Sequence, residues 1–319
     1  MRNAYKVKNK LIDIVVYIFM MLILLSIGYV IIYPLMYMIS SSFRSGDSYY
    51  DPTITWITNQ VTTSNYKLAA DALDYWNTLK NTVLYELLAG LIQLFVCSFI
   101  AYGLARFNFK EKKILMFMLI LIILLPVQMT ILPTYVNYSH LDVLGILGGI
   151  NKLTGIDLRI NILDSPFVFY LPALFGVGLR SGIIIYIYIQ FFKGFPYELE
   201  EAAWLDGCSP LGTFLRIVLP SSSVVIFTNL IFTLIWHWND YFIASMYLKS
   251  RESFTLAMSL STIISTLNDS RVAAWNAGSP ASGSIVMAGC TLFVLPMLIM
   301  YIFLQSKFVK SIDRVGITG

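Results

Sequence analysis

Glu200-Glu201-Ala202-Ala203-Trp204-Leu205-Asp206-Gly207, followed shortly by Ile217-Val218-Leu219-Pro220, forms a polar island between two of the most apolar runs in the chain. The flanking runs read as membrane helix, whereas this stretch suits water and a docked protein partner. Pro196 ends the helix before it, because proline cannot continue a helix it enters from inside, and it can open a new one in the first turn. Glu198, Glu200 and Glu201 then lie near the new N-terminus, where the backbone dipole favours negative side chains. Ala202 and Ala203 favour helix and leave its surface low, so a partner's backbone can approach closely. Gly207 is placed to stop that helix in a left-handed conformation. Ser209-Pro210 reads as the N-cap and first position of a second helix carrying Leu211, Phe214, Leu215 and Val218. The loop therefore reads as helix, turn, helix. An interfacial amphipathic helix is the competing reading, but such helices are usually basic on the polar face, and this one is acidic.

The composition around the loop demands a bilayer. Of 319 residues, 57% are hydrophobic and 13% charged, against about 25% charged in soluble domains. Folded in water, such a chain would expose large apolar patches. The net charge of +4 is small and clusters near helix ends, which speaks to topology and not to nucleic acid. Cys97, Cys208 and Cys290 are isolated and suggest neither a disulfide framework nor a zinc site.

Taken in order, the chain offers six apolar spans. Arg2, Lys6, Lys8 and Lys10 precede the first, Leu11 to Ile39, which is too long for a signal-peptide core and is read as an uncleaved transmembrane helix with its N-terminus in the cytoplasm. Ser40–Thr78 is polar, rich in Asp, Tyr and Trp, and is expected outside, partly helical near Asn65–Tyr75. The second span, Leu79–Ala105, ends at the basic cluster Arg106, Lys110, Lys112 and Lys113, which marks the cytoplasmic side. The third, Ile114–Tyr138, contains Pro126 and Pro133, the usual marks of a kink. An external stretch, His140–Pro166, holds Gly145, Gly148, Gly149 and Gly155. The fourth span, Phe167–Phe192, contains Arg180, which either snorkels to an interface or faces a polar cavity. The loop at 193–220 falls on the cytoplasmic side by parity. The fifth span is Val218–Leu248, an external loop runs from Lys249 to Gly283, and the sixth span is Ser284–Leu304. The expectation is an all-α integral membrane protein of six transmembrane helices with cytoplasmic N- and C-termini. It divides into an N-terminal helix and external segment (1–78), a core (79–306) and a cytoplasmic tail (307–319).

Enzymatic chemistry finds no footing. No glycine loop ending in Lys-Ser or Lys-Thr cradles phosphate, so ATP is not bound by this chain. His140 and His237 are the two histidines, which excludes a histidine-rich metal site, and no Gly-x-Ser-x-Gly elbow occurs. Glu86 and Asp240 are the acids within or next to spans, and nothing in the sequence joins them. No catalytic or metal-binding residue is therefore assigned.

Glu201-Ala202-Ala203, Gly207, Ile217 and Leu219-Pro220 resemble, without a spacing change, the cytoplasmic Glu-Ala-Ala loop of membrane subunits of binding-protein-dependent ABC importers. Ala101-Tyr102-Gly103-Leu104-Ala105-Arg106-Phe107 resembles the Ala-Tyr-Ala-x-Ala-Arg run of the carbohydrate branch. Pro126 with Ile131-Leu132-Pro133 is similar to its paired prolines, and Trp238-Asn239-Asp240 to its Trp-Asn-Asp. The tail Gln305-x-x-Phe308-Val309-Lys310 is similar to maltose-type second permeases. The resemblance covers about Ile39 to the end. Gly178-Leu179-Arg180-Ser181-Gly182, the long 140–166 stretch and Ser311-Ile312-Asp313-Arg314 depart from the family's pattern.

The resemblance implies a type I ABC importer transmembrane domain in a bacterial cytoplasmic membrane, one half of a permease heterodimer. Two cytoplasmic ABC ATPases, carrying ATP and Mg, and an extracellular sugar-binding protein would complete the machine. A coupling helix at about Tyr197–Asp206 would dock on one ATPase. Glu200, Glu201, Ala202, Ala203, Asp206 and Gly207 are its coupling residues, with Glu201 making the polar contact, the alanines packing closely and Gly207 making the turn. Trp236, Trp238, Asn239 and Asp240 supply the aromatic faces and hydrogen bonds of a sugar path, or else packing and helix–helix hydrogen bonds. The alternatives are an ion-coupled secondary transporter, which needs intramembrane acids for coupling, and an ABC permease for a non-sugar solute.

Overall fold

A computed structural model describes residues 2–49, 51, 56, 60–142, 147–149, 152, 159–268 and 282–316. Tyr50, Gly145 and Gly155, much of the loop before the last span, and residues 317–319 lie outside them. The main helices are α1 (Arg2–Ser42), α2 (Ser64–Leu73), α3 (Tyr75–Arg106), α4 (Lys112–Leu124), α5 (Val127–Ser139), α6 (Phe167–Leu174), α7 (Ser181–Gly194), α8 (Tyr197–Leu205), α9 (Pro210–Ser221), α10 (Ser223–Trp238), α11 (Phe242–Tyr247) and α12 (Ser282–Gly316). Among the described residues there are isolated β-bridges but no strand.

Three helical stretches among the described residues are long and apolar enough to cross a membrane unaided: Asp13–Ser42, Tyr75–Arg106 and Gly283–Gln305. They coincide with the first, second and sixth expected spans. The third span carries the kink expected at Pro126, whereas the fourth and fifth are corrected, because each is divided. The third is α4 and α5, bent by 102°, and the fifth begins with α9 and α10, bent by 79°. Leu125 is extended at ψ 122° ahead of Pro126, because a residue before proline is pushed out of the α region. The fourth span is α6 and α7, separated by residues 175–180, where Gly176 and Arg180 have φ of +69° and +53°. The fifth stops at Trp238 and resumes as the short α11.

The chain forms two compact units, Met1–Ala72 with Ile263–Leu292, and Leu73–Thr262 with Phe293–Gly319. In the first, none of the most apolar window of α1 is buried within the chain; a helix apolar all round has lipid or other chains as its solvent. Its C-terminal end is tied down, since buried Asn65 donates to the carbonyls of Ser42 and Arg44 at 2.8 Å each. In the second unit, Cys97, Ala101, Ile184, Tyr188, Ile189, Phe192 and Phe214 form a fully or almost fully buried cluster. Ala89, Val168, Ala173, Ala244 and Leu248 form another.

Asp164 pins together two connections of the second unit. Its N–H donates to Tyr247 O at 3.1 Å. Its Oδ1 accepts from the N–H of Lys249, from Ser250 N at 2.9 Å and from Ser253 Oγ at 3.0 Å. Its φ of +58° is one that Asp tolerates better than most residues. Burial pushes the carboxyl up, but the hydrogen bonds from Ser250, Lys249 and Ser253 outweigh it and hold the group below its usual 3.8. A lowered folded pKa stabilises the fold above the unfolded value and loses that contribution as pH falls through the folded value. Thermal unfolding of the purified protein is therefore expected to show Asp164→Asn less stable than wild type at neutral pH. The gap should close at pH below the ordinary carboxylate value of 3.8.

Candidate functional site

The polar island folds as its local sequence dictates. Phe195 and Pro196 are extended, with ψ of 135° and 124°. Pro196 is therefore the N-cap of α8, one residue earlier than the expected first-turn position, and its missing N–H still costs no hydrogen bond. At the other end Cys208 N donates to Ala203 O at 2.9 Å and Gly207 N to Trp204 O at 3.0 Å, the paired bonds of a Schellman stop. Gly207 has φ +83°, and an added Cβ would meet nothing within 4 Å, so backbone conformation alone demands glycine there. Ser209 Oγ then accepts from Gly212 N at 3.1 Å, capping α9 with Pro210 behind it.

The inner face of α8 is held by a buried charge cluster. Glu200 is fully buried; its Oε1 lies 2.6 Å from Arg106 Nε, and its Oε2 accepts from the Tyr102 hydroxyl at 3.0 Å. Tyr102 and Arg106 are one turn apart on α3 and so share a face. Arg106 Nη2 also donates to Phe195 O at 2.5 Å, and its guanidinium lies 5.8 Å from the Phe195 ring and 5.6 Å from the Tyr197 ring. The Tyr102 ring in turn packs against Phe214 at 5.0 Å and Phe192 at 5.9 Å. Two motifs distant in sequence thus meet in one cluster.

Of the expected coupling residues, Glu200 and Ala203 face inward and are buried within the chain. The outward surface carries Glu198, Glu201, Ala202, Leu205, Asp206 and Gly207. Leu205 is 89% exposed. It was not singled out from sequence, although 198, 201, 202 and 205 follow the spacing of one helix face.

The four residues of the expected sugar path have different surroundings. Trp238 is buried and packs on Phe293 at 5.7 Å, and Asp240 is buried with Oδ1 accepting from Ile243 N at 3.1 Å at the start of α11. Asn239 is exposed and donates to Ile235 O at 2.8 Å. Half-buried Trp236 stacks on Phe232 at 5.5 Å.

A second buried polar cluster escaped the sequence reading. His237 Nδ1 lies 2.8 Å from Glu86 Oε2, His237 Nε2 lies 3.4 Å from Gln93 Oε1, and Gln93 Nε2 donates to Leu179 O at 2.7 Å. Glu86 sits in a π-helical turn, Thr82–Leu87, a feature frequent at functional sites. The one available signal was a Glu and a Gln in an otherwise apolar span. Among the described residues no group of His, Cys, Asp and Glu could hold a metal ion.

Residues 94–314 match the family described as binding-protein-dependent transport system inner membrane component. The chain belongs to this family. It is 23% identical to the arabinooligosaccharides transport system permease protein AraQ of Halalkalibacterium halodurans, over 92% of this chain and 93% of that one. It is 26% identical to the polygalacturonan/rhamnogalacturonan transport system permease protein YtcP of Bacillus subtilis, over 95% and 97%. The diacetylchitobiose uptake system permease protein DasC of Streptomyces coelicolor is 24% identical over 91% and 92%. The fold matches a chain of a bacterial ABC transporter involved in import of the acidic polysaccharide alginate, with TM-score 0.72 and 21% identity over 93% of this chain and 97% of that one. The chain is thus a bacterial inner-membrane permease component with the type I importer fold.

Breaking a buried ion pair from one side costs about 3–5 kcal/mol, because a charge is left uncompensated. Arg106→Ala and Glu200→Ala should each destabilise the purified protein by about that amount. Arg106→Ala combined with Glu200→Ala should cost less than the sum of the two single changes, measured as coupling in a double-mutant cycle of unfolding midpoints. Gly207→Ala should cost about 1–2 kcal/mol through backbone strain alone.

Proposed function

We propose that this chain is one of two permease subunits of an ATP-driven importer of oligosaccharides and that α8 is the helix by which ATPase motion reaches the membrane. One observation carries the reading: a short helix anchored from within by the Glu200–Arg106–Tyr102 cluster, with Leu205 left 89% exposed beside Ala202 and Glu201. An exposed leucine on a rigid, low-relief helix is a surface for docking. The energy for transport comes from two cytoplasmic ATPases holding ATP and Mg, and the cargo from an extracellular binding protein. The oligosaccharide cargo is supported by the permeases for arabino-oligosaccharides, pectic polysaccharides and diacetylchitobiose to which the chain is similar along most of its length.

When the ATPases close, they pull α8, and Arg106 carries the pull into α3. The bends between α4 and α5 and between α9 and α10 let the spans change their tilt without breaking a continuous helical ladder. The cavity then alternates between its two openings, a two-state equilibrium biased by nucleotide. Glu201 and Leu205 make the ATPase contact; Glu200 acts as a positioning residue.

The test is the complex purified through a tag on this chain and reconstituted in liposomes. Leu205→Asp places a charge in the apolar docking contact and should lower ATP hydrolysis stimulated by the loaded binding protein by about tenfold or more, equivalent to 1.4 kcal/mol. The variant chain should still insert in the membrane. Undiminished stimulation in both Leu205→Asp and Gly207→Pro would exclude α8 as the coupling element.

A further inference from the structure

We propose that Arg180 is a carboxylate-recognition residue on the transport path, and that the cargo is an acidic saccharide. The proposal deepens the importer reading above and rests on it. From Ser181 to Gly194, α7 has 14 residues, or about 21 Å at 1.5 Å rise per residue. It ends beside α8. A bilayer's hydrocarbon core is about 30 Å thick, so Arg180 lies at membrane depth, in the break between α6 and α7. Non-helical backbone is tolerated there only where protein buries it or where it lines a water-filled cavity. An arginine facing lipid is costly in its own right. The Arg180 side chain is nevertheless exposed, and among the described residues no carboxylate lies within ion-pair distance of it.

The base of this arginine is built. Leu179 O accepts from Gln93 Nε2 at 2.7 Å, and behind Gln93 stands the buried His237–Glu86 pair. A Cβ at Gly178 would lie 2.3 Å from Gln93 Oε1, so glycine is what allows the amide to reach the break. Arg180 itself keeps a left-handed φ of +53°, a conformation that costs a non-glycine residue of order 1 kcal/mol and persists only where its surroundings impose it. The guanidinium is held 4.9 Å over the Trp236 ring, which is stacked at 16° on the exposed Phe232.

A guanidinium fork takes a carboxylate through two parallel hydrogen bonds, and aromatic faces take the apolar face of a pyranose. A uronate sugar presents both groups on one ring. A neutral sugar would offer the guanidinium no opposite charge to pair with.

The test uses the tagged importer with its copurifying subunits and binding protein in liposomes. Trigalacturonate and arabinotriose serve as the acidic and neutral probes, and ATP hydrolysis and uptake are the readouts. Trigalacturonate should stimulate the wild type. Arg180→Gln should cut that stimulation about ten- to a hundredfold, the effect of losing a hydrogen bond to a charged group. Arg180→Lys, which keeps the charge, should retain more than Arg180→Gln. The proposal is overturned if Arg180→Gln responds to trigalacturonate as wild type does, or if only the neutral probe stimulates, which leaves the importer reading intact. It is also overturned if Arg180→Gln no longer retains the second permease, since Arg180 would then be pairing with that subunit. If neither saccharide stimulates hydrolysis, the oligosaccharide importer reading fails and takes this proposal with it.

Discussion

The contact between Glu200 and Arg106 is the constraint on which the working end of this chain depends. An ion pair out of water repays its desolvation only when the remaining lone pairs and N–H groups are also satisfied. Here the carboxylate takes Arg106 and Tyr102, while the guanidinium takes that carboxylate, the Phe195 carbonyl and two ring faces. So many simultaneous partners define one position for α8 against the end of α3. The loop is polar, yet it behaves as an extension of the apolar helix that grips it.

Elsewhere in the second unit the membrane spans are interrupted, and two of the interruptions have polar side-chain support. Residues 175–180 are met by Gln93, and Asp240 caps α11 after the chain leaves α10. Asp164 closes the connection on α11's far side. Breaks of this kind leave backbone N–H and C=O groups that lipid cannot satisfy, so side chains and neighbouring helices take over. The resulting architecture has joints at defined places instead of continuous rods.

The helix–turn–helix of the loop was legible because its determinants are local: Pro196, Gly207, Ser209 and Pro210 act on their own few neighbours. The orientation of α8 was not. Glu198, Glu200 and Glu201 are equivalent in their relation to a helix dipole, and only Tyr102 and Arg106, from another helix, decide that Glu200 turns inward. The 102° bend was signalled as a kink by Pro126, but its size depends on packing. In the fourth span Pro172 is accommodated inside α6, while the break follows at Gly176–Arg180, where apolar composition continues on both sides and hides it. Glu86 and His237 were visible as residues, and their pairing needed three dimensions.

Leu205 has a consequence beyond transport. In the isolated chain this side chain stands exposed on a helix that the Glu200–Arg106 pair anchors from within. Exposed apolar side chains are what chaperones and proteases encounter in unassembled proteins. Under the docking proposed for α8, the leucine that completes the contact in the assembled machine labels the unassembled subunit as surplus, and the amount of permease left in the membrane then follows the supply of its motor.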